Sequence, residues 1–301
     1  MKVSSPINKV NIIGHKGISI YKAPENTIPA LEMALEKGFL IETDLQKVKD
    51  GYVLVHDKYI PGLSEEDKYE GRSKIESHYG NGFYFSGSTK LVSECTVDEL
   101  LTGTVYSKER HESALSSHAG ESVSLEIHET PKIATFNDLI SLLKKFPNSK
   151  TFLEIKRSDP YATYNNGMEE EIIEMLSDNG LLNNIIINSG NENTLKNIRK
   201  ANSFIPISID TDYADVPGLA HNMDEIKRLI DEMGLHFWNP PFFEVDKKLL
   251  EDTEKIGVEV ATWVQNETIK EELSEIERLK LLGVKYLFTD QAEKAREIYN
   301  L

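Results

Sequence analysis

Five ionisable side chains stand at the ends of short apolar runs, where a hydrophobic core would favour valine or leucine. They are His15, Glu42, Asp44, His56 and Glu154. Burying such side chains is costly unless they have partners or a function. Their chemistry therefore depends on whether the chain brings the ends of these runs together.

The three carboxylates indicate a cation site. Glu42 and Asp44 are two residues apart and share one face of a predicted strand, and Glu154 lies on a later one. Carboxylates at neighbouring strand ends repel one another strongly in a low-dielectric pocket unless a cation compensates them. All-oxygen ligands favour Mg²⁺ or Ca²⁺ over zinc, so we predict one such divalent cation. The alternative partners of the carboxylates are the bases Lys16, Lys156 and Arg157.

Alternating strand-like and helix-like runs provide the scaffold. The predicted strands are residues 10–14, 40–44, 151–156, 185–189, 205–209, 235–238, 258–263 and 285–289. Helical patterns cover residues 27–37, 168–177, 192–201, 224–233, 246–255 and 267–282. Eight parallel strands with helical crossovers in 301 residues favour a (β/α)₈ TIM barrel over an open doubly wound sheet. Catalytic groups of such barrels lie at the carboxyl ends of the strands.

A hairpin is predicted to return His56 to the same end of the barrel. Asp-Gly between two apolar runs is a strong hairpin signal, and residues 51–57 follow the second strand directly. With Asp50 and Gly51 as the two-residue turn, His56 lies opposite Leu45. This register places the imidazole at the carboxyl end of the second strand.

Residues 58–132 fit no barrel pattern and are too long for a plain connection. They are rich in glycine, serine, tyrosine and histidine, and their histidines lack the spacing of metal ligands. We predict that residues 1–57 and 133–301 form the TIM barrel, and that residues 58–132 are an insertion after the strand-two hairpin, packed over the barrel mouth.

The charge balance argues against nucleic acid as a partner. Fifty acidic against 34 basic residues give a formal net charge of −16, and no basic patch interrupts it. Such a field repels nucleic acids and anionic membranes. The acidic clusters EEEIIE (169–174) and EELSEIER (271–278) are interpreted as solvated helix faces.

The expected compartment is the cytoplasm. The single cysteine, Cys95, excludes an internal disulfide and fits a reducing environment. No apolar run approaches the roughly 20 residues of a membrane-spanning helix, so stable membrane insertion is not expected. The N-terminus shows no secretory signal, which leaves secretion after removal of a signal peptide as the alternative. The oligomeric state stays open.

Several stretches together resemble the glycerophosphodiester phosphodiesterase family. They are GHKG, APENT, IETDL, KDG and LVHD within residues 14–57, LEIK at 153–156, VATWVQN at 260–266 and GVKYLFTD at 283–290. The resemblance reaches both ends of the chain and implies a TIM barrel with an insertion. It places metal ligands at Glu42, Asp44 and Glu154, the catalytic pair at His15 and His56, and a phosphate-contacting lysine at Lys156.

Three positions depart from the family pattern. Lys16 stands where the family usually has arginine, and a lysine offers phosphate a point charge rather than a two-pronged fork. TDQA (289–292) replaces Thr-Asp-x-Pro, and INSG (187–190) replaces a Ser-Phe pair. These departures concern the substrate more than the reaction.

The implied reaction is hydrolysis of a glycerophosphodiester to glycerol 3-phosphate and an alcohol, in lipid and glycerol metabolism. A divalent cation with Lys16 and Lys156 would stabilise the charge that develops on the phosphoryl oxygens. One histidine would take a proton from the nucleophile and the other would protonate the leaving alkoxide. The nucleophile is either a glycerol hydroxyl of the substrate or water. Trp263 either stacks on the substrate or packs within the barrel.

Two other functions remain as alternatives to the phosphodiesterase, and one loop is expected to lie near the site. A phospholipase D-like enzyme acting on lysophospholipids or sphingolipids would need an acyl-chain pocket, to which Phe83, Tyr84 and Phe85 could contribute. A non-catalytic phosphodiester-binding module is supported only by Lys16 and TDQA. Residues 24–27 are predicted to cap the first helix through Asn26 or Thr27, with Glu25 or Asn26 also reaching the site.

Overall fold

The computed structural model describes residues 10–18, 23, 25–60, 62–63, 83–86, 90–106, 132–156, 167–211, 223–264 and 269–301. Eight strands form a closed ring: β1 (Asn11–Gly14), β2 (Leu40–Val48), β3 (Thr151–Ile155), β4 (Ile185–Ser189), β5 (Ile207–Asp210), β6 (Phe237–Asn239), β7 (Glu259–Val264) and β8 (Tyr286–Thr289). Each strand pairs in parallel with the next, and β8 pairs with β1. The predicted TIM barrel is confirmed.

One helix follows each strand of the ring. The helices are α1 (Ile28–Glu36), α2 (Phe136–Lys145), α3 (Met168–Asp178), α4 (Glu192–Ala201), α5 (Met223–Met233), α6 (Lys247–Ile256), α7 (Ile269–Leu282) and α8 (Ala292–Tyr299). Short 3₁₀ helices cover Val92–Glu94, Leu182–Asn184 and Phe242–Glu244. Side-chain oxygens of Thr27, Thr135, Asn191 and Asp246 cap α1, α2, α4 and α6. Among the described helices, none combines the length and apolarity needed to cross a bilayer.

The barrel interior is filled by a plug of apolar side chains. The plug consists of Ile13, Phe152, Ile186, Phe237, Ala261 and Phe288. Phe152 packs edge-on against Phe237 and Phe288, with ring centroids 5.3 and 4.9 Å apart. Because side chains two residues apart share a face of a strand, the positions that follow the plug project into the layer above it. Those positions are His15, Glu154, Asn188, Asn239, Trp263 and Asp290.

β2 is longer than its neighbours and supports a hairpin. Its first two residues pair with β1, whereas Leu45–Val48 pair with an antiparallel strand, Gly51–Leu54. Leu45 lies opposite Leu54, so the predicted pair of Leu45 with His56 is wrong. The shift is two residues, which keeps every side chain on its predicted face. His56 lies just beyond the end of this ladder.

The reason for the different register lies in contacts outside the hairpin. The turn is centred on Lys49 and Asp50. The Lys49 N–H donates to the carbonyl of Cys95 at 3.0 Å, and the Asp50 carboxylate accepts from the N–H of Val97 at 2.7 Å. Gly51 does not adopt the positive φ on which the Asp-Gly prediction depended.

The described part of residues 58–132 has its own small sheets and core. Tyr59–Ile60 pairs with Lys90–Leu91, and Phe83–Ser86 pairs with Gly62–Leu63 and Thr104–Tyr106. A short helix covers Val97–Gly103. A separate buried cluster joins this part to the hairpin through Val48, Val53, Val55, Ile60, Val92, Cys95, Leu100 and Ile133. The domain boundaries and the position of the insertion over the mouth stay predictions.

Gly17 allows the loop after β1 to lie against α1, and its substitution tests this contact. Gly17 has a φ of +91°, and a Cβ there would lie 2.6 Å from the carbonyl carbon of Ala30. We expect Gly17→Ala to lower the free energy of unfolding by about 2–4 kcal/mol, through left-handed strain and overpacking together. Urea unfolding measures the change.

Gly38→Ala is the matched control. Gly38 also has a positive φ, +75°, but a Cβ there would meet nothing within 4 Å. Strain alone should cost about 1 kcal/mol. Equal losses in the two variants would contradict the close approach of the loop to α1.

Candidate active site

A pocket that is partly open to solvent lies at the carboxyl ends of the barrel strands. Its lining residues are His15, Glu42, His56, Glu154, Lys156, Asn188, Asp210, Asn239, Pro240, Trp263 and Phe288. Six of the eight predicted site residues are therefore part of its wall. The remaining two, Asp44 and Lys16, are buried and do not line it.

The three predicted metal ligands converge. Glu42, Asp44 and Glu154 each offer a carboxylate oxygen, and these oxygens lie within 4.8 Å of one another. Asp44 is level with Glu154 in the β2–β3 ladder. Glu42 Oε1 and Asp44 Oδ1 are buried and accept no hydrogen bond from any described residue, although the Lys156 ammonium forms an ion pair with Asp44 Oδ1 at 3.3 Å. Buried oxygens that accept no hydrogen bond, in an all-oxygen set, fit a hard divalent cation.

Lys156 compensates part of this negative charge. Its Nζ lies 2.7 Å from Glu154 Oε1 and 3.3 Å from Asp44 Oδ1. The sequence left ion pairs between the carboxylates and nearby bases as an alternative to a metal, and such ion pairs are present for Lys156. Arg157, the other candidate base beside it, lies outside the described residues. Because Lys156 also lines the pocket, its ammonium can serve an anionic substrate as well as the carboxylates.

Lys16 contacts the carboxylates mainly through its backbone. Its N–H donates to Glu42 Oε2 at 3.0 Å, and its Nζ lies 3.4 Å from Glu25 Oε2. The residue adopts a φ of +52° and is 8% exposed. Its ammonium is therefore directed to Glu25, and the main contribution seen in this structure is to orient Glu42.

Glu42 and Asp44 have opposite electrostatic environments. Burial raises the pKa of Glu42 well above its ordinary value, and repulsion by Asp44 and Glu154 raises it further. Burial acts in the same direction on Asp44, but the Lys156 ammonium and a hydrogen bond from Asn26 outweigh it and hold the pKa of Asp44 below its usual range. Glu42 is thus the carboxylate whose charge has the least support from the protein.

The two lysines keep their charge. Burial disfavours the ammonium form of both, but the surrounding carboxylates outweigh it. Glu25 and Asp44 raise the pKa of Lys16 above its ordinary value. Glu154 and Asp44 have the same effect on the pKa of Lys156. Both side chains are therefore cationic at neutral pH.

Asn26 fixes the position of Asp44. Its Nδ2 donates to Asp44 Oδ2 at 2.8 Å, and its Oδ1 accepts from the Thr43 hydroxyl at 2.7 Å and the Asp44 N–H at 3.1 Å. Its own N–H donates to the Lys16 carbonyl. The sequence proposed Glu25 or Asn26 for the site. Asn26 contacts the Asp44 carboxylate directly, and Glu25 contacts the Lys16 ammonium. Of the two capping candidates, Thr27 is the helix cap.

His15 is held by a carboxylate from the far end of the chain. Its Nδ1 lies 2.9 Å from Asp290 Oδ1, and its Nε2 lies 3.9 Å from Glu42 Oε2. The ring of Trp263 lies 4.8 Å from the imidazole centroid, at an angle of 40°. Trp263 therefore forms part of the pocket wall and also limits the orientation of His15.

His56 is held by its neighbour and by a buried amide. Its Nδ1 lies 2.8 Å from Asp57 Oδ1. Gln46 Nε2 lies within 3.0 Å of the carbonyl oxygens of residues 55–57, which ties the segment carrying His56 to β2. Sequence reasoning missed Gln46, although it continues the series of polar residues at every second position after Glu42 and Asp44.

A second buried carboxylate supports the loop that carries Asp290. Glu272 on α7 accepts a 2.6 Å hydrogen bond from the Thr289 hydroxyl. Burial, with repulsion from Asp290, raises the pKa of Glu272 to about 7. The interpretation of both acidic clusters as solvated faces is wrong at Glu272 and at Glu169, since both are buried.

Sequence reasoning also missed the pocket residues of β4 to β6. Asn188, Asp210 and Asn239 each stand at the carboxyl end of a strand. The signal was the same as for Glu42 and Glu154, a polar residue closing an apolar run. The aromatic side chains of residues 83–85 and the histidines at 111, 118 and 128 lie outside the described residues.

Comparison with known proteins gives a consistent result. Residues 15–294 match the model of the glycerophosphoryl diester phosphodiesterase family. A glycerophosphodiester phosphodiesterase of Caldanaerobacter subterraneus subsp. tengcongensis is 25% identical over 292 residues, covering 95% of this chain and 96% of that protein. A Silicibacter pomeroyi protein assigned to the glycerophosphoryl diester phosphodiesterases superposes with a TM-score of 0.75 at 18% identity, over 99% of this chain and 95% of that one.

A further solved structure contains a ligand. It is an Oleispira antarctica phosphodiesterase in complex with its product sn-glycerol-3-phosphate. It superposes with a TM-score of 0.66 at 18% identity, over 97% of each chain. The solved structures support the barrel fold, and the family match covers nearly the whole chain.

Glu272 should make stability depend on pH. Its pKa is about 7 in the folded protein, against 4.5 for an ordinary glutamate. The folded state therefore keeps a proton that the unfolded chain releases, so this group lowers the free energy of unfolding as pH rises from about 4.5 to about 7. In Glu272→Gln this contribution disappears. Relative to the parent, the variant should gain at most about 3 kcal/mol across that window.

Urea unfolding of both proteins at several pH values measures the effect. The change with pH, rather than the offset at any one pH, is the test, because glutamine also alters the hydrogen bond with Thr289. Glu277→Gln, an exposed position on the same helix, should show no such trend. A difference between Glu272→Gln and the parent that stays constant with pH would contradict the prediction.

Proposed function

The chain belongs to the glycerophosphoryl diester phosphodiesterase family, and from this premise we propose that it hydrolyses glycerophosphodiesters to glycerol 3-phosphate and an alcohol. The observation that carries the proposal is the convergence of three carboxylates, with a buried Glu42 oxygen that accepts no hydrogen bond from any described residue, beside two carboxylate-bound histidines. The product seen in the Oleispira antarctica enzyme supports the same class of substrate.

Glu42, Asp44 and Glu154 would hold one Mg²⁺ or Ca²⁺ ion. The bound ion would supply positive charge that stabilises the phosphoryl oxygens as negative charge develops on them. Asn26 and the Lys16 N–H keep two of these carboxylates oriented by direct hydrogen bonds. The donor set suits either ion, since all three ligands are carboxylates.

Lys156 is proposed to bind the phosphoryl group. Its ammonium lies in the pocket wall, beside the carboxylates, and keeps its charge. Lys16 is proposed for the same task on the resemblance alone. Its ammonium contacts Glu25, so its contribution to phosphate binding would be a longer-range field rather than a direct contact.

His15 and His56 are proposed to transfer protons. Each is bound through Nδ1 by a carboxylate, which leaves Nε2 to exchange a proton with the substrate. One would remove a proton from the nucleophile and the other would protonate the leaving alkoxide. Trp263 lies against His15 and would form a flat wall for the glycerol or the alcohol.

The remaining parts of the proposal concern the surroundings. The single buried Cys95 is consistent with a reducing, cytoplasmic location. The net charge of −16 is unfavourable for nucleic-acid binding, and a small anionic diester is the expected partner.

Asp44→Asn should weaken cation binding while the fold persists. Loss of one carboxylate charge removes a ligand from the set, and Asn26 still contacts the position. Parent protein treated with a chelator should release no glycerol 3-phosphate from glycerophosphocholine, and Mg²⁺ or Ca²⁺ should restore release. Asp44→Asn should need at least about tenfold more metal, measured both by restored activity and by the rise in melting temperature with added ion.

Asp178→Asn is the control for the loss of one charge, because Asp178 is exposed on α3. It should respond to metal as the parent does. If Asp44→Asn binds the ion with parental affinity, the carboxylates do not form the metal site. If chelation leaves hydrolysis unchanged, the reaction does not require a metal.

His15→Asn and His56→Asn should each bind the ion yet lose at least about a hundredfold in rate, the usual scale of acid–base catalysis. Asparagine keeps some hydrogen bonds but transfers no proton near neutral pH. The double variant should lose far less than the product of the single losses, since the two residues act as a unit. A bell-shaped pH–rate profile should collapse in either single variant.

His236→Asn is the control, since His236 lies just before β6 at the opposite end of the barrel. Its rate and pH profile should match those of the parent. Near-parental turnover by both single variants would refute the paired role, and turnover by neither the parent nor the variants would favour a binding module over an enzyme.

A further inference from the structure

The pocket has an amide-rich wall beside its charged wall. The charged wall consists of His15, Glu42, His56, Glu154 and Lys156, whereas β4 to β6 supply the amides of Asn188 and Asn239 and one carboxylate, Asp210. Both amides are buried, with 3% and 5% of their surface exposed. Buried amides in a pocket wall are costly unless their donors and acceptors are used, so their hydrogen bonds define what this wall can bind.

The two amides belong to a hydrogen-bond chain with a fixed direction. The Ser208 hydroxyl donates to Asn239 Oδ1 at 3.0 Å, and Asn239 Nδ2 donates to Asn188 Oδ1 at 3.1 Å. With the Asn239 amide reversed, the fully buried Ser208 hydroxyl would accept from Asn239 Nδ2, and its own proton would lose its acceptor, at a cost of about 1–3 kcal/mol. The Ser208 hydroxyl therefore favours this orientation of Asn239, and Asn239 favours that of Asn188.

The chain ends in a donor that the protein does not use. Asn188 Nδ2 makes no hydrogen bond with any of the described residues, and Asn188 lines the pocket. Asn188 is level with Glu154 in the β3–β4 ladder, next to the charged wall. Asp210 lies in the same wall, level with Asn239. Its carboxylate disfavours a second phosphoryl group there, so a neutral hydroxyl is the better ligand for this wall.

We propose that Asn188 is a specificity-determining residue, whose Nδ2 donates to a hydroxyl of the glycerol moiety while the phosphoryl group faces the charged wall. Asn239 and Ser208 are positioning residues that hold this donor in place. The inference rests on the proposed function, because it assumes a glycerophosphodiester in the pocket. It adds a means by which this chain distinguishes glycerol diesters from other phosphodiesters.

Three substrates separate the groups that Asn188 could contact. Glycerophosphocholine and glycerophosphoethanolamine share glycerol and differ in the leaving alcohol, and bis(p-nitrophenyl) phosphate has no glycerol. For Asn188→Leu we expect a roughly tenfold loss of kcat/KM on both glycerol diesters, mainly through KM, and an unchanged value on bis(p-nitrophenyl) phosphate. Ser208→Ala keeps Asn188 but removes the hydroxyl that orients the two amides. It should therefore lower kcat/KM on the same two substrates, by a smaller factor of about threefold.

Thr253→Val is the control for removing a buried hydroxyl, since the Thr253 hydroxyl bonds only to carbonyls of α6, away from the pocket. It should match the parent on all three substrates. Equal losses on all three substrates in Asn188→Leu and Ser208→Ala would overturn the inference in favour of a phosphoryl contact. A loss confined to one glycerol diester would overturn it in favour of the leaving alcohol.

Melting temperatures distinguish these results from a folding defect, and Ser208→Ala remains informative if Asn188→Leu does not fold. A parent protein that hydrolyses bis(p-nitrophenyl) phosphate but neither glycerol diester would refute the proposed substrate, and the inference with it. Hydrolysis of the glycerol diesters by the parent, with no selective loss in either variant, would refute the inference alone.

Discussion

The repulsion among three clustered carboxylates is the constraint on which the site depends. Glu42, Asp44 and Glu154 bring their oxygens within 4.8 Å of one another, and Glu42 and Asp44 are buried while Glu154 is half-buried. In such surroundings like charges interact far more strongly than in water. The protein offsets only part of this cost, with one lysine ammonium at Asp44 and Glu154 and a backbone N–H at Glu42. Glu42 Oε1, which accepts no hydrogen bond from any described residue, is where an added cation gains most.

The barrel makes this arrangement possible by stacking two layers with different chemistry. Phe152 lies two residues before Glu154, and Ile186 lies two residues before Asn188, so each plug residue supports a polar residue above it. The plug residues are buried and apolar, and their aromatic rings pack edge-on, so the layer directly beneath the charges offers them no polar groups. An apolar floor strengthens the fields of the lysines and carboxylates above it, and it also makes every unpaired polar group in that layer costly. The hydrogen-bond chain through Ser208, Asn239 and Asn188 follows from the same requirement, and it leaves Asn188 Nδ2 for a ligand.

The sequence predicted the barrel and its charged wall because both leave periodic signals. Apolar runs ending in His15, Glu42 and Glu154 mark strand ends, and helical periodicity marks the crossovers. What failed depended on contacts between distant segments. The hairpin register is set by hydrogen bonds of Lys49 and Asp50 with Cys95 and Val97. No local sequence pattern indicates these contacts. Glu272 looked like part of a solvated acidic face, and only the return of the β8 loop buries it.

The two amides of the amide-rich wall escaped prediction for a different reason. Asn188 and Asn239 carry no charge, so they do not stand out as groups that need compensation, and each alone resembles an ordinary strand end. Their role becomes visible only when three strands place the hydroxyl of Ser208 beside them.

The two histidines show the same dependence on tertiary structure. His15 is oriented by Asp290 across the seam where β8 closes the ring, whereas His56 is oriented by Asp57 and by Gln46 from β2. Each imidazole is thus oriented by a different part of the barrel. Both lie near the carboxylates because the long strand β2 belongs to the ring and also to the hairpin.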